Sequence, residues 1–410
     1  MASVGEFMTS EVLKIGQITT IRRDLHAVEH TALVLDGLTQ RALSFRVECD
    51  TLSLDEIEAQ PEAFVLALLM PCMATGQNLV CEAPIDGQLL YNLNTQLVPF
   101  LCSRYSSLTP VKIMAPTKSF AHPDVARGRH VLAMSCGLDA LTAYAELSGP
   151  DSPPALQPEA LLFNDIGAFG RGEAKRVHDL ELVEQFAKDR ALPLVRLTSN
   201  MGEFGGPSYP EAYSCRGAAA AWALKGGVAR KVTYASGTDY VHMGCLDQMA
   251  DMGAFDPITF PMMSNSGLEI YSSGFRHTRS SKFELLLTHP ELMGYLNTCL
   301  RSVDRKGGFI NCGQCKKCSE LLFRAEAMGC LDALAPSFNV EAFKKTRWFL
   351  AEKLVYNAYK PSPSDNSIDT LDSIARHGGR VGVSGRVLGL IAAGTKRGVS
   401  RAKRLVGAVR

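Results

Sequence analysis

The densest group of reactive side chains is Cys312-Gly-Gln-Cys315-Lys-Lys-Cys318, three thiols at two-residue intervals, with Cys299 upstream as a fourth. A C-x2-C turn brings two sulfurs within reach of one ion at roughly 2.3 Å, and Gly313 relieves the tight backbone between them. Lys316 and Lys317 are expected to favour thiolates and to offset the charge of four of them. The expected occupant of Cys299, Cys312, Cys315 and Cys318 is a structural Zn²⁺; an iron–sulfur cluster suits the same donors. Cys330 is the alternative fourth ligand, beyond an intervening helix.

A second group is Met134-Ser-Cys-Gly-Leu-Asp-Ala140, a turn between an apolar strand and a helix. Free backbone N–H groups and the helix dipole can hold a phosphate at such a place. Gly137 permits close approach, Ser135 can donate from its hydroxyl, and Asp139 can hold a Mg²⁺ that bridges phosphates. The plain alternative is a capped turn without a ligand. Cys215-Arg-Gly217 opens a helix, but a cysteine without a base is weak as a nucleophile.

These groups need a scaffold, and the pattern along the chain predicts one in four parts. Residues 1–125 read as an α+β region of short strands, with alternation in Arg41–Glu48, a short strand at Val111–Ala115, and helical spacing at Ala63–Met73 and Gly87–Tyr105. Residues 126–255 alternate strands with helices. The strands are His130–Met134, Ala160–Asn164, Pro193–Leu197 and Lys231–Ala235, and the helices are Leu138–Leu147, 172–190 and 209–224. Such alternation indicates a parallel sheet flanked by helices, with ligands beyond the carboxyl ends of the strands. Asn164, Asp165 and the turn Ser236–Tyr240 lie at such ends. Residues 256–360 carry the knuckle and helices near 281–299, 319–328 and 340–358, and 361–410 read as a polar linker and basic tail.

Bulk properties exclude some classes. A net charge of +1 with 46% hydrophobic and 21% charged residues is ordinary for a globular enzyme and shows no global preference for nucleic acid. No uncharged apolar run reaches membrane-spanning length, and the first twenty residues do not read as a secretory signal. Twelve cysteines, mostly scattered beside apolar residues, fit a reducing, cytoplasmic setting; Cys49, Cys72, Cys102 and Cys245 read as core fillers. The tail Val387–Val409 mixes apolar residues with Lys and Arg, which suits contact with nucleic acid or an anionic membrane.

Over about residues 128 to 330 the chain resembles the PP-loop ATP pyrophosphatases of the adenine-nucleotide α-hydrolase-like superfamily, and is most similar among them to 7-cyano-7-deazaguanine synthase and its uncharacterised relatives. Ser135, Gly137 and Asp139 match their S-G-G-x-D-S loop, whereas Cys136 replaces a Gly and Ala140 a Ser or Thr. Thr278-Arg-Ser-Ser-Lys282 and Asn311-Cys-Gly-Gln-Cys-Lys-Lys-Cys318 look like T-R-x-x-K and N-C-G-x-C-x-K-C. The resemblance implies a HUP/PP-loop-like α/β fold with ATP and Mg²⁺ as cofactors. ATP would be held by Ser135, Cys136, Gly137, Leu138, Asp139, Asn164 and Asp165, with Asp139, Arg279 and Lys282 as catalytic residues. The implied reaction adenylates a carboxylate or amide oxygen of an acceptor, small molecule or protein, for attack by a nitrogen nucleophile. A sulfurtransferase with an iron–sulfur cluster and a catalytically degenerate sensor or scaffold are the alternatives, and a homodimer is a further expectation.

Overall fold

The computed structural model describes residues 12–118, 128–167, 172–243, 251–300, 308, 310–360, 364–379, 381 and 394. The tail expected at 387–409 and the core filler expected at Cys245 lie outside them, Gly394 apart. Strands among these residues are β1 (Val12–Asp24), β2 (Ala27–Asp36), β3 (Thr39–Glu48), β4 (Asn78–Cys81), β5 (Ile85–Asp86), β6 (Ile113–Met114), β7 (Thr117–Lys118), β8 (Arg129–Ala133), β9 (Ala160–Asp165), β10 (Leu194–Ser199), β11 (Ala229–Ala235) and β12 (Glu269–Ser273). Ten form one sheet in the order β12-β11-β8-β9-β10-β3-β2-β1-β4-β6, while β5 and β7 pair separately.

The five strands from β12 to β10 are all parallel. Counted along the chain from β8, their order is 3-2-1-4-5, that of open doubly wound sheets, with the reversal between β8 and β11. The three middle residues of β8 are buried, as a strand covered on both faces requires. In isolation β10 would be a free edge, but β3 closes it antiparallel, with Arg196 opposite Glu48 and Ser199 opposite Phe45. The expected N-terminal region and the parallel domain therefore share one sheet.

The β2–β3 hairpin turns on Gly37 and Leu38, with Gly37 at φ +58°, a conformation glycine adopts without strain. Pro61–Thr75 is a helix buried on all sides, as its mean composition of apolar residues demands, and it packs on the helix Tyr209–Ala223. Pro61 starts it and Gly76 at φ +76° ends it by donating to the Cys72 carbonyl. Cys49 and Cys72 are buried as core fillers, and Cys102 is half-buried.

By contacts, the described residues fall into two units. One comprises those of Met1–Met134, Glu146–Gly170 and Val183–Ser273 and holds the ten-stranded sheet; the other comprises those of Ser135–Ala145, Arg171–Leu182 and Gly274–Arg410. The second is helical after residue 274: Arg279–Leu287, Pro290–Met293, Lys316–Ala327, Leu331–Leu334, Val340–Tyr359 and Asp365–Arg376. Within the stretch read as a polar linker, Asp365–Arg376 is thus an amphipathic helix that packs on Lys316–Ala327 and Val340–Tyr359. The helix expected at 281–299 stops at Leu287, with the short turn Pro290–Met293 after it. Among the described residues no helix is long and apolar enough to cross a membrane.

Candidate functional site

The knuckle forms from the sequence upward. Gly313 sits at φ +73°, and a Cβ there would stand 2.2 Å from the Asn339 carbonyl oxygen, so no other residue fits the turn. That turn aims the backbone N–H groups of Gln314 and Cys315 at Cys312 Sγ, at 3.4 and 3.3 Å. The helix Lys316–Ala327 then carries Cys318 back beside Cys315. The Sγ atoms of Cys299, Cys312, Cys315 and Cys318 all lie within 4.8 Å of one another, near the roughly 3.8 Å that a tetrahedron with 2.3 Å bonds sets. Cys330 is not in the group.

Hydrogen bonding from Cys299, then from Cys315 and Cys318, holds the Cys312 thiol far below its ordinary range. Hydrogen bonding from Cys299 lowers Cys315 to about 6. The same hydrogen bonds raise Cys299 and Cys318. Four converging thiols can hold a metal ion such as zinc, or an iron–sulfur cluster.

Asn311, fully buried, ties the knuckle together. Its Oδ1 accepts from Thr298 N–H at 2.8 Å, next to Cys299, and its Nδ2 donates to the Leu296 and Ser337 carbonyls at 2.6 and 3.1 Å. A buried amide satisfied on both ends has one orientation, which fixes the spacing of the two cysteine segments.

The same unit contains the Ser135 turn. Ser135 is exposed, and its Oγ accepts from Gly137 N–H at 3.3 Å. Cys136 is buried at φ +54°, a left-handed conformation that costs a non-glycine residue roughly 1–2 kcal/mol. The residue in glycine's usual left-handed conformation is thus Cys136, whereas Gly137 is not left-handed. The Cys136 carbonyl accepts from Asn297 N–H at 2.8 Å, two residues before Cys299, and Asn297 Nδ2 donates to Asp179 at 2.8 Å. Leu138 and Ala140 are buried, so they face the protein.

Asp139 is where the turn meets the segment Thr278–Lys282. Thr278 accepts from Ser281 N–H and caps the helix Arg279–Leu287, whose pitch puts residues three apart on one face. Arg279 Nη1 reaches Asp139 Oδ2 at 3.0 Å, and Lys282 Nζ reaches Oδ1 at 2.9 Å. Burial would raise the Asp139 pKa, but Arg279 and Lys282 outweigh it and hold the carboxyl well below the usual carboxylate range. Lys317, between two knuckle cysteines, adds to this field and is itself lowered by burial and by Arg279. Asp139 thus has both carboxylate oxygens paired with cations, and Lys317 beside it faces Cys315 and Glu320 as well.

The start of the same helix is anchored by Arg324 and Asp369. Asp369 Oδ2 accepts from Ser280 N–H at 2.9 Å and Oγ at 2.7 Å, and from Arg324 Nη2 at 3.0 Å, while Arg324 Nε donates to Ser280 Oγ at 2.9 Å. Arg324 is buried, and an acid at a helix N-terminus is favoured by its dipole. Sequence reasoning missed Asn297, Arg324 and Asp369, and it assigned Lys317 to the thiols alone, without its field at Asp139.

Other candidates belong to the sheet unit. Asn164 and Asp165 end β9 in the sheet unit, where Asn164 hydrogen-bonds the Tyr234 hydroxyl. Asp239 caps its own loop, accepting from Val241 and His242 N–H and pairing with the His242 ring at 2.9 Å. Burial pushes the Cys215 thiol up to about 12, which leaves it a poor nucleophile. Compared with known proteins, the chain matches no family model, no curated protein and no solved structure.

Proposed function

We propose that this chain is an ATP-dependent, pyrophosphate-releasing enzyme of the PP-loop, 7-cyano-7-deazaguanine-synthase-like type. The observation that carries the reading is the cluster of Asp139, Arg279 and Lys282, with Lys317 nearby. An acceptor carboxylate or amide oxygen attacks the α-phosphorus of ATP, the P–O bond to the β-phosphate breaks, and pyrophosphate leaves. A nitrogen nucleophile then displaces AMP and a C–N bond forms. Arg279 and Lys282 counter the charge that builds on the phosphates, where cations act most strongly. Asp139 positions both, and the Ser135 hydroxyl and nearby backbone N–H groups offer donors. No step is assigned to Mg²⁺, given the pairing of Asp139.

A structural zinc in the knuckle is part of this reading. Four protein thiols close the coordination shell, which suits a bracing role better than sulfur transfer at an open iron. A colourless protein containing one zinc fits it, and a brown one favours the sulfurtransferase.

Asp139→Asn keeps the size of the side chain and removes its charge. Measured below its own, lowered melting temperature, it is expected to cut pyrophosphate release about a hundredfold while metal content stays near wild type. Release at the wild-type rate sinks the reading. Ala140, buried and without the family's hydroxyl, favours a second one: a nucleotide-binding sensor or scaffold, which predicts ATP binding by calorimetry without turnover.

A further inference from the structure

Arg216, in the sheet unit, lies on the helix Tyr209–Ala223 and is half-buried. Arginine stays charged, and burial disfavours that charge unless a partner answers it. Burial indeed lowers the Arg216 pKa, the only opposing influence being Tyr209. Arg279, Arg324 and Arg347 face Asp139, Asp369 and Glu326. Among the described residues Arg216 forms no such pair; its hydrogen bond is from Nη1 to the Ile166 carbonyl at 3.2 Å. Its guanidinium carbon lies 5.8 Å from the centre of the Tyr209 ring, which covers one side.

Glycines let the guanidinium lie close against the backbone. Gly167, at φ +99°, would place a Cβ 2.6 Å from Nη1, and Gly202 would place one 3.7 Å away. Gly167 follows β9 and Gly202 follows β10, both at carboxyl ends of parallel strands, the edge at which open sheets take their ligands. Burial also keeps the Tyr209 phenol protonated, so its O–H remains a donor.

We infer that Arg216 is an anion-binding residue, taking the carboxylate or phosphate group of a small-molecule ligand at the carboxyl ends of β9 and β10. The remaining guanidinium N–H groups form a fork that matches either group in two parallel hydrogen bonds. Arg216 and its neighbours all belong to the sheet unit, so the inference does not rest on the adenylation reading.

Phenylglyoxal labelling of the native full-length chain, followed by peptide mass spectrometry, tests it without any variant. Arg216 is expected to react, and excess inorganic phosphate or acetate to slow its labelling about threefold or more, as occupancy above the dissociation constant requires. Protection by phosphate alone identifies a phosphoryl ligand, and by acetate alone a carboxylate. An Arg216 that reacts equally with and without either anion, or only after denaturation, overturns the inference. Lys282→Met should weaken ATP binding and leave protection at Arg216 unchanged, which separates this outcome from failure of the ATP reading.

Discussion

The sheet unit and the site unit are held together by different physics. In the first, strands of mostly apolar residues pair into ten-strand register around a dense core, and the buried ionisable groups include two histidines, His30 and His130. In the second, short helices are pinned by a four-thiol cluster, a buried Asn311 network, and the pairs Asp139–Arg279–Lys282 and Arg324–Asp369. Non-directional burial tolerates many substitutions, whereas a satisfied polar network fails when one member is lost. The candidate chemistry sits in the unit built from directional contacts, because placing charges to a fraction of an ångström needs partners with geometry.

The sharpest way to press that contrast is to strip the knuckle of the metal that its four thiols could hold. Chelation, or Cys312→Ser, forfeits a binding energy on the order of 10 kcal/mol, most of which is folding energy for so small a helical array. Peptide-resolved hydrogen exchange should show protection lost in Arg279–Leu287 and Lys316–Ala327 and kept in β8 to β12. Uniform loss across both units would dissolve the contrast, and no loss in either would make the knuckle dispensable.

Acid should weaken the sheet unit through its buried histidines. Burial lowers His30 from 6.5 to about 4, with Glu58 opposing, and burial lowers His130 to about 4, with Lys231 adding to it. The unfolded chain takes up a proton on each imidazole near pH 6.5, and the native chain does not until near 4. The histidine contribution is therefore full above pH 6.5 and falls by about 3 kcal/mol per histidine as the pH drops to 4, opposed in part by the Asp256 carboxyl, which burial raises well above its ordinary value. The Asp139 carboxylate is held low, so its stabilising pairs survive over that window. Urea titrations followed by hydrogen exchange at pH 7 and pH 4.5 should show the sheet unit less stable at the lower pH. A sheet unit equally stable at both would contradict the assignment.

The smallest effect concerns the left-handed residue in the Ser135 turn. At an ordinary helical position alanine is more stable than glycine; at φ +54° the order inverts. Cys136→Gly should be more stable than Cys136→Ala by about 1 kcal/mol. If the alanine variant melts higher, the turn has relaxed out of that conformation and its likeness to a glycine-bearing phosphate loop weakens.

How much of this was legible in advance follows from range. The hairpin carried a further signal that went unread, since Asp36-Gly37 between alternating strands is a strong turn marker. Asp365–Arg376 read as a linker because its residues are mostly polar; its buried face is built from Ser367, Thr370, Ser373 and Ile374, whose hydroxyls become core groups only once partners such as Glu320 surround them.

By itself the sequence determined what acts locally: the thiol spacing, the glycine demanded at 313, and the alternation that makes four parallel strands. The tertiary structure alone decided that β3 closes the edge of β10, that Asp139 is answered by Arg279 and Lys282 some 140 residues away, and that Asn297 grips the Cys136 carbonyl. The reason is physical. Periodicity reports which face of an element is apolar, but a charge or an amide carries no mark of its partner until folding brings the two together and removes the water between them.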